Sequence, residues 1–163
     1  IIIKKRKDKM YSNIFLNSKK KKKNSSTIFT ELIENNSWDI LIKMFSLRIL
    51  DVNTRDCKGK NALYWAMLKN KADVIKILIH LNIDQYVSPN LLAMNFAVYL
   101  DNVKVLRCLK NCGLDLDVID EVNTTPLIYA ILYKKSNSIK FLLSNGADVN
   151  HEDFMGNCPK NLI

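Results

Sequence analysis

Apolar residues recur at helical spacing in two runs that alternate along residues 27–163, with polar breaks between them. One first run is Leu-Ile-Tyr-Ala-Ile at residues 127–131. It follows Thr125, which suits a helix N-cap, and Pro126, which suits the first helical position. A second run, residues 139–143, comes after a short polar break. Because neither helix can bury its apolar stripe alone, the pattern predicts helix pairs that stack and share one core.

The helix pairs recur with a fixed period. Lys-Phe-Leu-Leu-Ser-Asn-Gly-Ala-Asp-Val-Asn at residues 140–150 is echoed by residues 107–117, and weaker copies end near residues 84 and 53. The matching aspartates are Asp51, Asp84, Asp115 and Asp148, with spacings of 33, 31 and 33 residues. Such a period predicts stacked units of helix, tight turn, helix and short extended link.

These motifs resemble the ankyrin-repeat family over roughly residues 27–163. The family pattern begins Asp-x-x-Gly-x-Thr-Pro-Leu-His and ends Leu-Leu-x-x-Gly-Ala-Asp-Val-Asn. Residues 125–127 supply Thr-Pro-Leu, residues 146–150 supply Gly-Ala-Asp-Val-Asn, and residues 56–59 and 153–156 match Asp-x-x-Gly. The resemblance implies an all-α fold: an ankyrin-repeat α-solenoid of stacked helix-turn-helix units with short hairpin tips, which we call fingers.

We divide the chain into a lysine-rich tail, residues 1–26, which we expect to be disordered, and an ankyrin-repeat array, residues 27–163. The repeats are predicted at about 27–55, 56–86, 87–119 and 120–152, followed by a truncated repeat at 153–163. Since the chain begins without Met and stops inside the first helix of a further repeat, we expect a fragment of a longer protein. The alternative is a start at Met10.

Two departures from the family pattern predict local differences in structure. The glycine between the helices of each repeat is replaced by Asn36, Asn70, Asp101 and Lys134. Asn and Asp tolerate the left-handed conformation, whereas lysine should be strained there. The family's capping histidine is replaced by Tyr64, Asn95 and Ile128, which puts its hydrogen bond between repeats in doubt.

The 31-residue spacing indicates a shortened finger in the repeat that contains Gln85-Tyr86-Val87-Ser88-Pro89. This copy lacks Asp-x-x-Gly, and we expect its finger to be blunted. Ser88 and Pro89 are predicted to start the next helix, as N-cap and first turn.

Charge is concentrated in the tail. Residues 1–26 hold ten Lys or Arg and one acid, whereas residues 27–163 hold fifteen basic and fifteen acidic side chains. The neutral array argues against wrapping nucleic acid. Three interpretations of the tail stay open: a solvated leader, an import signal at Lys4, Lys5, Arg6 and Lys7, or weak contacts with nucleic acid or anionic lipid.

The sequence contains no catalytic or cofactor motif. It has four glycines and no Gly-rich phosphate loop, no Gly-x-Ser-x-Gly and no His-Glu-x-x-His. Four scattered cysteines, without Cys-x-x-Cys, predict free thiols: Cys108 buried and Cys57 exposed on a finger. We therefore expect no enzyme activity, no cofactor, no metal and no membrane span. Because free thiols indicate a reducing compartment, we expect the protein in the cytoplasm or the nucleus. His80 and His151 are expected to be solvated.

The resemblance implies a binding groove formed by the fingers and the first helix of each repeat. Two variable positions per repeat should face this groove: Glu34 and Asn35, Leu68 and Lys69, Tyr99 and Leu100, Leu132 and Tyr133. Finger residues Lys58, Lys60 and Glu121 complete the predicted site. The alternative is that the three leucines turn inward. Trp38 and Trp65 occupy positions that the family fills with core residues, so both are expected to be buried.

We therefore interpret the chain as a non-enzymatic module that binds a protein partner, with no small-molecule substrate. Nucleic acid is expected only as weak contacts of the tail. Two alternatives stay open. One is a recognition domain of a larger enzyme, channel or ubiquitin-ligase adaptor. The other is a nuclear regulator that resembles the ankyrin inhibitors of transcription factors.

Overall fold

A computed structural model describes residues 24–163, and the predicted import signal lies outside the described residues. The first helix begins at Ser25, two residues before the boundary that we place at residue 27. The elements in chain order are α1 (Ser25–Glu34), α2 (Trp38–Ser46), α3 (Ala62–Leu68), α4 (Ala72–His80), β1 (Tyr86–Ser88), β2 (Leu91–Leu92), α5 (Ala93–Tyr99), α6 (Val103–Asn111), α7 (Pro126–Leu132), α8 (Ser136–Ser144) and α9 (Pro159–Leu162).

The helices form a two-layered all-α solenoid. In the first-helix row α5 packs against α3 and α7, and α7 packs against α9. In the second-helix row α4 packs against α2 and α6, and α6 packs against α8. Among the described residues, the one sheet is the two-stranded hairpin of β1 and β2. None of the helices in residues 24–163 is both long and apolar enough to cross a membrane.

The core lies between the two rows and is built from repeat-equivalent side chains. The second residue of α3, α5 and α7 is fully buried in each case: Leu63, Met94 and Leu127. The second helices contribute Leu78, Leu109 and Leu142, which are also fully buried. Burying one such side chain stabilises the fold by about 1.5–3 kcal/mol. Since neighbouring repeats share this core, they stabilise one another.

The turn between the two helices of each repeat has the predicted left-handed residue. Asn36, Asn70, Asp101 and Lys134 have φ angles of 53°, 53°, 49° and 54°. This confirms the alignment of these four positions with the family glycine. Lys134 therefore holds a conformation that disfavours a residue with a Cβ atom.

The finger of the third predicted repeat, at residues 86–92, corrects the predicted helix start at Ser88 and Pro89. Helix α5 begins at Ala93, and residues 86–92 form an antiparallel hairpin. Proline's fixed φ suits the first central position of a turn, and Asn90 takes the positive φ of 56° at the second. The turn therefore replaces the predicted helical start.

The expectation of a blunted finger is also wrong, because the two missing residues lie outside the finger. Val87 to Leu92 matches Asp56 to Asn61 in length, and each segment ends at the N-cap of the following first helix. The two missing residues fall in the link before the finger, since Asp84 precedes Val87 by three positions and Asp51 precedes Asp56 by five. The finger itself is complete.

Candidate protein-binding groove

The predicted groove residues lie in register at the C-terminal ends of the first helices. The last residues of α1, α3, α5 and α7 are Glu34, Leu68, Tyr99 and Leu132. The C-cap residues that follow them are Asn35, Lys69, Leu100 and Tyr133. Because the first helices stack side by side, these positions form one row across the array.

Four apolar side chains of this row are exposed, and we call them the groove row. Leu68, Tyr99, Leu132 and Tyr133 expose 43%, 60%, 45% and 55% of their surface. Leu100 differs, because it is partly buried and packs against the core. The predicted exposure is confirmed for the groove row, whereas the inward alternative holds for Leu100.

Aromatic rings extend the groove row along the first helices. The rings of Tyr64 and Phe96 stack across two repeats with centroids 4.4 Å apart, and Phe96 stacks on Tyr99 at 6.5 Å. In the next repeat Tyr129 stacks on Tyr133 at 5.7 Å. Tyr64 and Tyr129 are partly buried, and the sequence pattern does not predict either of them in the groove.

Trp65 corrects another expectation. Trp38 is buried as predicted, at 6% exposure, but Trp65 is only partly buried. Its indole Nε1 donates to Asp56 Oδ2 at 3.1 Å, which draws the ring towards the finger. It lines a cleft of about 120 Å³ with Thr30, Ile33, Glu34, Asp56 and Lys69.

Asp120 and Tyr129 repeat this contact nine positions apart, as Asp56 and Trp65 do. The Tyr129 hydroxyl donates to Asp120 Oδ2 at 2.5 Å. Burial, and then this hydrogen bond, raise the pKa of Tyr129 above its usual value. Each contact anchors a finger to the first helix behind it. An aromatic residue nine positions after the finger aspartate is the sequence signal that would have identified both rings.

Lysines lie beside the aromatic rings. Lys60 Nζ is 4.3 Å from the Tyr64 ring centroid and 5.4 Å from that of Trp65, and Lys135 Nζ is 5.3 Å from Tyr99. These are cation–π distances. Lys69 Nζ donates to the Ile33 carbonyl at 3.1 Å, across two repeats. Lys58 is exposed on its finger.

The finger and link aspartates have local structural contacts. Asp56 Oδ1 accepts from the amides of Lys58 and Lys60. Asp117 Oδ1 accepts from the Asp148 amide of the following repeat at 2.9 Å. The other finger and link aspartates that accept backbone amides are Asp51, Asp84, Asp115, Asp120, Asp148 and Asp153. Glu121 is exposed on its finger, where it was predicted.

Comparison with known proteins identifies the family. Residues 82–153 match the ankyrin-repeat family model, described as three copies of ankyrin repeats. Residues 82–153 are thus ankyrin repeats, and the ankyrin-repeat family is the one that these comparisons support for the chain. It is 28% identical over 110 residues to an ankyrin repeat protein of Acanthamoeba polyphaga mimivirus, covering 66% of this chain and 14% of that protein.

Two further relatives are similar over comparable lengths. A potassium channel of Arabidopsis thaliana is 30% identical over 101 residues, which are 61% of this chain and 12% of the channel. An ankyrin repeat protein of fowlpox virus (strain NVSL) is 29% identical over 93 residues, which are 57% of this chain and 66% of that protein. The chain thus spans less than two thirds of each of these relatives. Ankyrin repeats are protein-interaction modules.

Several residues of this ankyrin array have local roles only. His151 was expected to be solvated, but its Nε2 lies 2.7 Å from the Asn123 carbonyl oxygen, whereas His80 is exposed. Cys57 is exposed and Cys108 is buried, as predicted, and burial raises the pKa of the Cys108 thiol. Residues 24–163 contain no cluster of three side chains suited to a metal ion.

The family's capping-histidine position is not satisfied in the middle repeat. Asn95 is 7% exposed, and its Oδ1 has no hydrogen-bond partner among the described residues. An unpaired buried carbonyl of this kind destabilises a fold by about 1–3 kcal/mol.

Proposed function

We propose that this ankyrin array is a non-enzymatic module that binds a partner protein through the groove formed by the fingers and the ends of the first helices. The observation that carries the proposal is the groove row, four large apolar side chains exposed at the C-terminal ends of three successive first helices. Exposed tyrosines and leucines in one continuous row are typical of interfaces.

The geometry favours a preformed site. The helices carrying the groove row pack on a shared core, and two fingers are anchored to them through Trp65 and Tyr129. A partner would therefore order few groups on binding, which preserves affinity. The equal numbers of basic and acidic side chains in residues 27–163 support a protein rather than a nucleic-acid ligand.

A matched pair of variants tests this proposal. Leu132 and Leu143 lie in the same repeat on opposite helix rows and expose 45% and 37%, and Leu68 and Ile77 form a similar pair at 43% and 39%. Partner proteins captured by the unmodified chain in an affinity pull-down should bind Leu68→Ala/Leu132→Ala about tenfold or more weakly. Ile77→Ala/Leu143→Ala should leave it unchanged. Equal loss with both variants, or loss only with the second, would contradict the proposal.

The likeness to a segment of a potassium channel favours a second candidate. In this proposal the array is the recognition domain of a longer protein and binds its partner on behalf of attached domains. Sequencing the full transcript and detecting the endogenous protein by size would test it. A product no longer than this chain would exclude it.

A further inference from the structure

Three lysines stand at the end of the groove nearest α1 without an ionic partner. Lys58, Lys60 and Lys69 form no ion pair with any acidic side chain among the described residues. Lys60 is instead held over two aromatic rings, and Lys69 is held by a backbone carbonyl. The ammonium groups of Lys60 and Lys69 are therefore held in place, and none of the three charges is neutralised by ion pairing.

The nearest finger and link aspartates are already engaged. Asp56 accepts two amides with Oδ1 and the Trp65 indole with Oδ2. Asp84 pairs with Arg55 at 2.7 Å and accepts the Tyr86 amide. Glu34 is the remaining acid at the cleft and is exposed. Hydrogen bonds from neutral groups leave the charge of Asp56 in place, so Lys58, Lys60 and Lys69 outnumber the carboxylates of Asp56 and Glu34 by one. The lysine end of the groove therefore has a net positive charge.

Charge changes sign along the fingers. Residues 47–61 hold four basic and two acidic side chains. Residues 112–125 and 145–158 together hold seven acidic side chains and no Lys or Arg. The far end also has Lys134 and Lys135, but the seven acidic side chains outnumber these two lysines. An acidic ligand is therefore attracted to the α1 end of the groove and repelled from the fingers near its far end.

We propose that the partner presents an extended acidic segment with apolar side chains, bound in one direction. This inference rests on the proposed function and names the chemistry of the partner. The carboxylates of the segment lie at Lys58, Lys60 and Lys69. Its apolar side chains pack on the far part of the groove row, Tyr99, Leu132 and Tyr133. Ion pairs that exclude water against Trp65 and Tyr64 gain more than pairs in open solvent.

The same charges exclude two other occupants. The chain's own lysine-rich residues 1–26 carry nine net positive charges and are repelled by the lysine end. A nucleic-acid strand has phosphates along its whole length, and the seven acidic side chains of residues 112–125 and 145–158 repel them. A segment with acidic residues at one end and apolar residues at the other matches the whole groove.

Peptide display on the complete chain tests the inference. A random library of peptides of about 16 residues is selected on residues 1–163 and counter-selected on the Leu68→Ala/Leu132→Ala chain. Both proteins carry the basic tail, so peptides that bind only the tail are removed. The remaining peptides should be net acidic with apolar residues at one end.

Charge reversal then locates the carboxylates. Lys58→Glu/Lys69→Glu should weaken the selected peptides by about tenfold or more. Lys104→Glu/Lys140→Glu, at exposed positions of the second-helix row, should change their affinity little. Thermal melts establish that each variant is folded.

Three outcomes would overturn the inference. Groove-dependent peptides that are neutral or basic, or that ignore Lys58→Glu/Lys69→Glu, would refute the acidic partner and leave the proposed function intact. Groove-dependent binding of a labelled oligothymidine would show that the lysines bind phosphate groups instead of carboxylates. Failure to select any groove-dependent peptide would overturn the proposed function as well.

Discussion

Asp101 caps a helix of the repeat that follows it. Its Oδ1 accepts hydrogen bonds from the Ser138 amide at 2.8 Å and from the Ser138 hydroxyl at 2.7 Å. Asn137 donates to the other carboxylate oxygen at 2.9 Å. The N-cap residue of α8 is Lys135, which has no side-chain acceptor. One residue in the left-handed turn of one repeat thus supplies the cap that the next repeat lacks.

The cap predicts a stability difference that depends on pH. Burial alone would raise the pKa of Asp101, but the hydrogen bonds from Ser138 and Asn137 outweigh burial and lower it. A carboxyl with a lowered folded pKa contributes stability that is present above its unfolded pKa and is lost as the pH falls through its folded pKa.

Asp101→Asn should therefore destabilise the array by about 1 kcal/mol at pH 7, and by less below the ordinary aspartate pKa of 3.8. Urea denaturation at pH 7 and pH 3 measures the two differences. Glu121→Gln, at an exposed finger position, is the control and should change stability little at either pH. An equal loss for Asp101→Asn at both pH values would show that its charge is irrelevant.

Lys134→Gly should stabilise the array by about 1 kcal/mol, because glycine takes a positive φ without the Cβ clash. Lys134 has a φ of 54° and is exposed. Asp101→Gly is the matched comparison at the equivalent turn position, and it should destabilise since it removes the cap of α8. Chemical denaturation of both variants checks the signs. A loss of stability in Lys134→Gly would contradict the strain.

Tyr129 should lose its proton at a higher pH than an ordinary tyrosine. Since burial and the Asp120 contact raise its pKa, the stabilising effect is complete below the ordinary pKa of 10.0 and is lost as the pH rises above it. Absorbance titration should show one tyrosine that ionises above the others, and Tyr129→Phe should remove that step and destabilise by about 1 kcal/mol. Tyr133→Phe should change neither. Identical titration curves for native protein and Tyr129→Phe would contradict the contact.

Tyr99 and Tyr133 should act in binding rather than in folding. Alanine at either position should lower stability by less than about 1 kcal/mol, because each ring is more than half exposed. The same changes should weaken partner binding by about 1–3 kcal/mol. Tyr129→Ala, which removes a partly buried ring and the Asp120 contact, should destabilise more. Large destabilisation by Tyr99→Ala would show that this ring belongs to the core and contradict the prediction.

The repeat period explains which features the sequence could predict. Aligning equivalent positions placed Lys134 in a left-handed turn and Leu132 in the exposed row, because stacked repeats place equivalent residues alike. Trp65 differs from the prediction because the family pattern fills its position with core residues, whereas its indole donates to Asp56. The Ser88–Pro89 error arose because proline begins a turn as readily as a helix, and Asn90 decided between them.

Hydrogen-exchange mass spectrometry of the full chain, with and without a captured protein partner, would locate the surface that the partner covers. We expect slower exchange at the C-terminal ends of the first helices, residues 66–70, 97–101 and 130–135. Exchange should be unchanged in the second helices Ala72–His80, Val103–Asn111 and Ser136–Ser144. Protection confined to those second helices, with the groove unchanged, would contradict the claim that the groove binds the partner.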